Sequence, residues 1–143
     1  VQEARAFDPR VRIVTLAREH GAYTSRLHFE PSGEIGRGGN SGFQALNLAL
    51  QFGARRIVLL GFDMRIGPGG APHHHGAHKH GLRNPTPRLL GEWARILDGQ
   101  APELQARGVE VINASVSSIL KGFQRRTAHE VIAQWADSPL PVV

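Results

Sequence analysis

Apolar residues between Val11 and Ala17 (VRIVTLA) alternate with polar ones and are rich in β-branched side chains, the pattern of a strand. The stretch from Tyr23 to Phe29 (YTSRLHF) carries a weaker form of that pattern and predicts a second, partly exposed strand. Between Glu30 and Asn40, four glycines and one proline among polar residues oppose regular structure and predict a loop. From Gly42 to Gly53 the period becomes helical. Phe43, Leu46 and Leu50 form an apolar stripe, and Gln44, Asn47 and Gln51 a polar one. Gly42, Ala45 and Ala49 make a stripe of small residues that would let the helix lie close against a sheet. Ser41 or Asn40 can cap the helix start, and Gly53 supplies a left-handed ending. The consecutive apolar residues Ile57 to Leu60 then predict a strand covered on both faces, as in a parallel sheet with helices above and below.

Periodicity is lost over residues 62–86, where five glycines, three prolines and five histidines predict a long loop of a kind that is either functional or disordered. Order resumes at Pro87, where Leu89, Leu90, Trp93, Ile96 and Leu97 recur at helical spacing. A further helical stretch has Pro102 near its beginning and Gly108 at its end. Val109 to Asn113 (VEVIN) predicts a strand which, coming after helices, pairs in parallel with Ile57 to Leu60. A short helix around Ser117 to Phe123, another from His129 to Ala136, and a tail over 137–143 complete the reading. The expected fold class is α/β, a Rossmann-like parallel sheet flanked by helices in a single domain.

Composition narrows the partners. The 143 residues suit one domain, and an excess of 17 Lys and Arg over 12 Asp and Glu favours anionic partners, nucleic acid among them. The absence of cysteine excludes disulfides and thiolate zinc sites and fits a reducing compartment. No apolar run approaches the roughly 20 residues of a membrane span and no leader is recognisable, so the expectation is a soluble protein. The chain starts at Val1, which suggests a piece of something longer, lacking an N-terminal portion of the fold.

In open parallel sheets, ligands collect at the carboxyl ends of the strands. Four segments qualify: the loop before the first helix, the turn containing Asp63, the histidine loop, and the stretch Asn113 to Ser118. Main-chain amides of a glycine-rich loop entering a helix suit a phosphate, which nominates Gly39, Asn40, Ser41 and Gly42, although the spacing matches no dinucleotide or Walker motif. A turn and helix cap without a ligand would look the same. Asp63, Asn113 and Ser115 lie where a nucleotide could also be touched, and Asp63 could equally cap a turn or pair with Arg65. His73, His74, His75, His78 and His80 could serve as metal ligands, a general base or phosphate contacts. With no carboxylate nearby except Asp63, they predict adventitious rather than physiological metal binding. Lys79, Arg83 and Asn84 suit an anionic substrate, whereas Arg55 and Arg56, before the strand, read as surface.

GGNSGFQALNLALQFGARRIVLLGFDM, a His-rich loop ending in HGLRNP, and GVEVINAS together resemble a family of uncharacterised phage and prophage proteins over about residues 36–115. More distantly, the same order is similar to bacterial sialyltransferases that use CMP-sialic acid and to the 6-hydroxymethylpterin pyrophosphokinase-like domain. The sialyltransferase likeness implies a Rossmann-like fold and a CMP-type nucleotide-sugar donor. It places Ser41 and Gly42 at the nucleotide, Asp63 near it and His78 as general base, with His75 or His80 next. Met64 stands where those enzymes have a phosphate-binding aromatic residue, and nothing before Val11 supplies their first glycine-rich turn. The pterin-enzyme likeness implies ATP and magnesium, for which Asp63 is the clear acidic candidate. The rival expectation is a non-catalytic phage structural or assembly module that binds a protein or nucleic acid. Both readings fit the bacterial cytoplasm or a virion.

Overall fold

The computed structural model describes residues 12–70 and 84–138. The chain forms two compact units, Val1–Ala54 and Arg55–Val143.

In the first unit, β1 (Thr15–Leu16) lies parallel to β4 (Glu34–Ile35), while β2 (Arg18–Glu19) and β3 (Ala22–Tyr23) form an antiparallel hairpin. The hairpin turn puts His20 at φ 50° and Gly21 at φ 83°, the two positive values that a primed turn needs to follow strand twist. It ends the expected second strand early, so Tyr23 is its last residue and nothing regular continues to Phe29.

Helix α1 (Ser41–Gln51) follows. Asn40 is its cap, with extended backbone and a side-chain oxygen that accepts from Phe43 N, while Ser41 begins the helix itself. Phe43, Leu46 and Leu50 are buried as their stripe predicts, but Ala45 of the small stripe is exposed. Within the polar stripe, Asn47 is fully buried. Its Oδ1 accepts from His28 N at 3.1 Å and Gly36 N at 2.9 Å, and its Nδ2 donates to His28 O. Gln51 Nε2 donates to Glu34 O and His28 O, and Gln44 Nε2 to Arg37 O. This face of α1 is polar because it replaces the ladder partners that segment 24–37, regular only at β4, lacks. Gly36 permits the close approach, since a Cβ there would sit 2.0 Å from Arg26 O.

The second unit is built on a parallel three-stranded sheet, β5 (Arg56–Leu59), β6 (Glu110–Asn113) and β7 (Gln124–Arg125), in that spatial order. Helices α2 (Pro87–Asp98) and α3 (Ala101–Ala106) connect β5 to β6, and α4 (Ala128–Asp137) follows β7. Leu59, Leu90, Leu97, Leu104, Val111, Ile112 and Val131 are buried. The fold is therefore α/β, with the parallel pairing expected of Ile57 and Val111.

Three expectations change in this unit. Strand β5 pairs only with β6 among the described residues, so Ile57 and Val58 are half-buried and Leu60 is 61% exposed, not covered on both faces. The expected helix around Ser117 to Phe123 is an irregular segment leading into β7. Its amides are engaged elsewhere, with the Asp98 carboxylate accepting from Lys121 N and Gly122 N at 2.8–3.1 Å. Arg56 is not a free surface residue but part of the sheet's amino edge: its guanidinium lies 3.6 Å from Glu110, which accepts from Trp135 Nε1 at 3.1 Å.

Helix α4 starts with a capping box, Thr127 Oγ1 accepting from Glu130 N and the Glu130 carboxylate accepting from Thr127 N. These bonds, first the Thr127 amide and then its hydroxyl, hold the Glu130 carboxyl below the ordinary glutamate range, helped by Arg126 and His129. A depressed folded value means the box contributes stability above the unfolded value and loses it as pH falls through the folded one. A carboxyl NMR titration should find Glu130 lowered in the wild type and returned toward normal in Thr127→Val. An unchanged value in the variant would refute the assignment.

Replacing Asn47 by Leu keeps similar bulk but leaves the amides of His28 and Gly36 without their acceptor, while His28 O keeps Gln51 Nε2. The expected loss is about 3 kcal/mol at roughly 1–3 kcal/mol for each unsatisfied group, read by urea denaturation. A loss under about 1 kcal/mol would show that water replaces the carboxamide.

Candidate functional site

The sequence-predicted residues fall in both units, and the two groups are built differently. In the first unit, Gly38 and Gly39 both have positive φ, 54° and 85°, and the chain then extends at Asn40. Gly38 lies beneath the Phe43 ring, where a Cβ would be 1.9 Å from Cγ, so this glycine is required by packing. Gly39 N donates to Arg37 O at 2.6 Å, closing a tight turn. The Asn40 carboxamide is used twice, Oδ1 accepting from Phe43 N and Nδ2 donating to Gly38 O at 3.4 Å. Asn40 thus holds the loop against the helix. Ser41 N and Gly42 N have no acceptor among the described residues, and Ser41 is exposed. These two donors at the positive end of the helix dipole are what the loop offers an anion.

In the second unit, the carboxyl ends of β5 and β6 run into segments 60–63 and 114–119, and side chains fasten the two together. Ser115, 5% exposed, is the centre of that fastening. Its hydroxyl accepts from Phe62 N at 2.8 Å and donates to Leu59 O at 3.3 Å, while its amide donates to Asn113 Oδ1 at 3.0 Å. Asp63 Oδ1 accepts from Ser117 N at 3.3 Å, and Asp63 O from Ile119 N at 3.0 Å. Met64, at φ 53°, turns the chain away directly after Asp63. Asp63, Asn113 and Ser115 are therefore brought together, as their places at strand ends imply.

Two residues of this cluster were not singled out from the sequence. Ser118 donates to Phe62 O at 2.6 Å, and the Arg125 guanidinium donates to the carbonyls of Ser115, Val116 and Ser118 at 2.8–3.4 Å. The serine run in NASVSS was the available signal for the first. Arg125 gave none, because its role depends on β7 lying beside β6. Asn113 is 1% exposed and its Nδ2 has no partner among the described residues. A buried donor left unpaired costs stability unless something binds it.

Asn84 is exposed at the entry to α2. His75, His78, Lys79, His80 and Arg83 lie outside the described residues. Among the described residues, no group of three His, Cys, Asp or Glu side chains could hold a metal ion. No helix among them is long and apolar enough to cross a membrane. A cavity of about 250 Å³ opens between α3 and the starts of β6 and β7, lined in part by Leu104, Val109, Val111 and Phe123, and no sequence-predicted site residue borders it.

No protein-family model, curated protein or solved structure matches the chain.

Removing the Ser115 hydroxyl tests the cluster. Ser115→Ala should cost about 1–3 kcal/mol by leaving Phe62 N without its acceptor, and hydrogen exchange at Phe62 should accelerate more than at the middle of β6. Unchanged protection at Phe62 would mean that the segments 60–63 and 114–119 are held together by other contacts.

Proposed function

We propose that the chain is a nucleotide-binding domain of phage or prophage origin with a Rossmann-like, sialyltransferase-like design, acting on a CMP-type nucleotide sugar. The observation that carries the reading is the convergence of Asp63, Asn113 and Ser115 at the carboxyl ends of two adjacent parallel strands, with the Asn113 Nδ2 donor unpartnered among the described residues. Strand ends of this kind are where parallel α/β sheets take their ligands. Taken by itself, the first unit offers two open amides at the start of α1, a feature suited to an anion. Asp63 keeps one carboxylate oxygen with no donor among the described residues, available to a ribose hydroxyl.

In this reading His78 takes the proton of an acceptor hydroxyl as its oxygen bonds to the sugar's anomeric carbon, and the bond to the nucleotide phosphate breaks with its electrons leaving on the phosphate. His75 and His80 are the next candidates for that proton. Lys79, Arg83 and Asn84 would meet the anionic groups of the substrate.

Calorimetric titration with CMP, CDP, UDP and GDP tests the binding half. Saturable binding of a cytidine nucleotide at micromolar concentration is expected, and no binding of any nucleotide refutes the reading. Where transfer is observed, His78→Ala should lower turnover about 10²–10⁴-fold while nucleotide affinity stays near wild type. Full activity in that variant would remove His78 from the role.

A further inference from the structure

We propose that the first unit carries a contact surface for single-stranded nucleic acid, formed by a row of Arg18, Tyr23 and Arg37. Arg18 and Tyr23 are directly opposed across the β2–β3 hairpin. Arg37 N donates to Thr24 O at 2.8 Å, which brings a third segment beside the second. The side chains meet accordingly: the Arg18 guanidinium carbon lies 4.0 Å from the Tyr23 ring centroid and that of Arg37 5.4 Å.

Two like charges are thus held at one ring, at most about 10 Å apart, close to the Debye length of about 8 Å at physiological salt. Among the described residues no carboxylate relieves their repulsion. Among the described residues neither arginine forms an ion pair, and Glu19 follows Arg18 in the strand and so projects from the opposite face of the hairpin. An exposed pair of unneutralised guanidiniums creates a local field suited to a polyanion.

Stacking uses the flat face of a guanidinium and leaves its in-plane N–H groups free. Arg18 commits one of them, Nη1, to Gly21 O at 2.9 Å, which fixes the group's orientation. The remaining donors match the spacing of phosphate oxygens. Tyr23 itself is 43% exposed, so the surface keeps part of an aromatic ring open beside two phosphate binders. Nucleic acid presents both anionic phosphates and base faces, whereas an acidic peptide offers nothing to the ring. A duplex hides its base faces by stacking, which favours a single strand.

The test is a fluorescence-anisotropy titration of a labelled oligothymidylate of about 20 nucleotides, longer than one site of this kind, with the whole chain at several salt concentrations. Saturable, salt-sensitive binding is expected. The double variant Arg18→Gln, Arg37→Gln should weaken it at least about tenfold and reduce the slope of log affinity against log salt by about 0.7 per arginine. Tyr23→Leu should weaken binding at least about fivefold with little change in slope, and Tyr23→Phe should restore it. Arg88→Gln, on α2 in the other unit and paired with Glu92, is the control and should bind as wild type. Circular dichroism establishes that each variant is folded. Absence of saturable binding, or a folded double variant with wild-type affinity and slope, overturns the proposal. So does competition by polyglutamate as effective as by unlabelled oligothymidylate, because the surface would then read charge alone. The nucleotide titration above does not involve these three residues, so the two readings stand or fall separately.

Discussion

Strands of two or four residues leave most of the neighbouring backbone outside any ladder, and each amide or carbonyl buried there still needs a partner. That constraint shapes both units. In the first, Asn47 from α1 supplies an acceptor to two amides and a donor to one carbonyl, doing for segment 24–37 what a neighbouring strand would otherwise do. In the second, the hydroxyls of Ser115 and Ser118 and the carboxylates of Asp63 and Asp98 take over that work, with Arg125 covering three carbonyls. The polar side chains that make the chain look chemically rich are in large part structural. Because each bond depends on its neighbours, the loops they organise have little freedom to slip.

The same constraint separates what could be read in the sequence from what could not. Helices carry their hydrogen bonds internally, so their stripes and caps are local, and α1, α2 and α4 lie within a residue or two of where periodicity puts them. Parallel pairing of β5 with β6 was legible because two apolar runs flank a helical connection. The His20–Gly21 hairpin was not, since the turn relies on a histidine at positive φ, not on the Asn-Gly or Asp-Gly pairs that announce such turns. Asn47 was read only as a member of a polar stripe. Nothing within α1 reveals that the opposing segment lacks partners. β7 escaped for a related reason: Ser117 to Phe123 has helical spacing, but Asp98, about twenty residues earlier, claims the amides a helix would have used.

At the candidate site, residue types were legible and their duties less so. The glycines before α1 look like a phosphate cradle in sequence, yet Gly38 is fixed by the Phe43 ring and Asn40 by its cap, which leaves main-chain amides of Ser41 and Gly42 as the open groups. Asp63 performs the turn-capping duty that was one of its alternatives, and its second carboxylate oxygen has no donor among the described residues. Among the described residues, the candidate with the least structural employment is the Nδ2 of Asn113. A side chain whose oxygen is anchored by Ser115 N has a fixed orientation, so the unused donor is held in place and not merely idle.

The two ends of the three-stranded sheet differ in a way that bears on where a ligand would go. The amino edge is closed by Arg56, Glu110 and Trp135, joined by an ion pair, a hydrogen bond and a guanidinium 5.7 Å from the indole centroid. Each polar group there is matched by another. The carboxyl edge is fastened below by Ser115 and Arg125 but leaves Leu60 61% and Val116 91% exposed beside them. Apolar side chains held out on rigid, hydrogen-bonded turns lose the option of folding back onto the core, so their exposure persists for as long as the turns do. A ligand with an apolar or aromatic face would cover them while its polar groups reached Asp63. That combination exists at the carboxyl edge and is absent at the amino one, where aromatic, cation and carboxylate already satisfy one another.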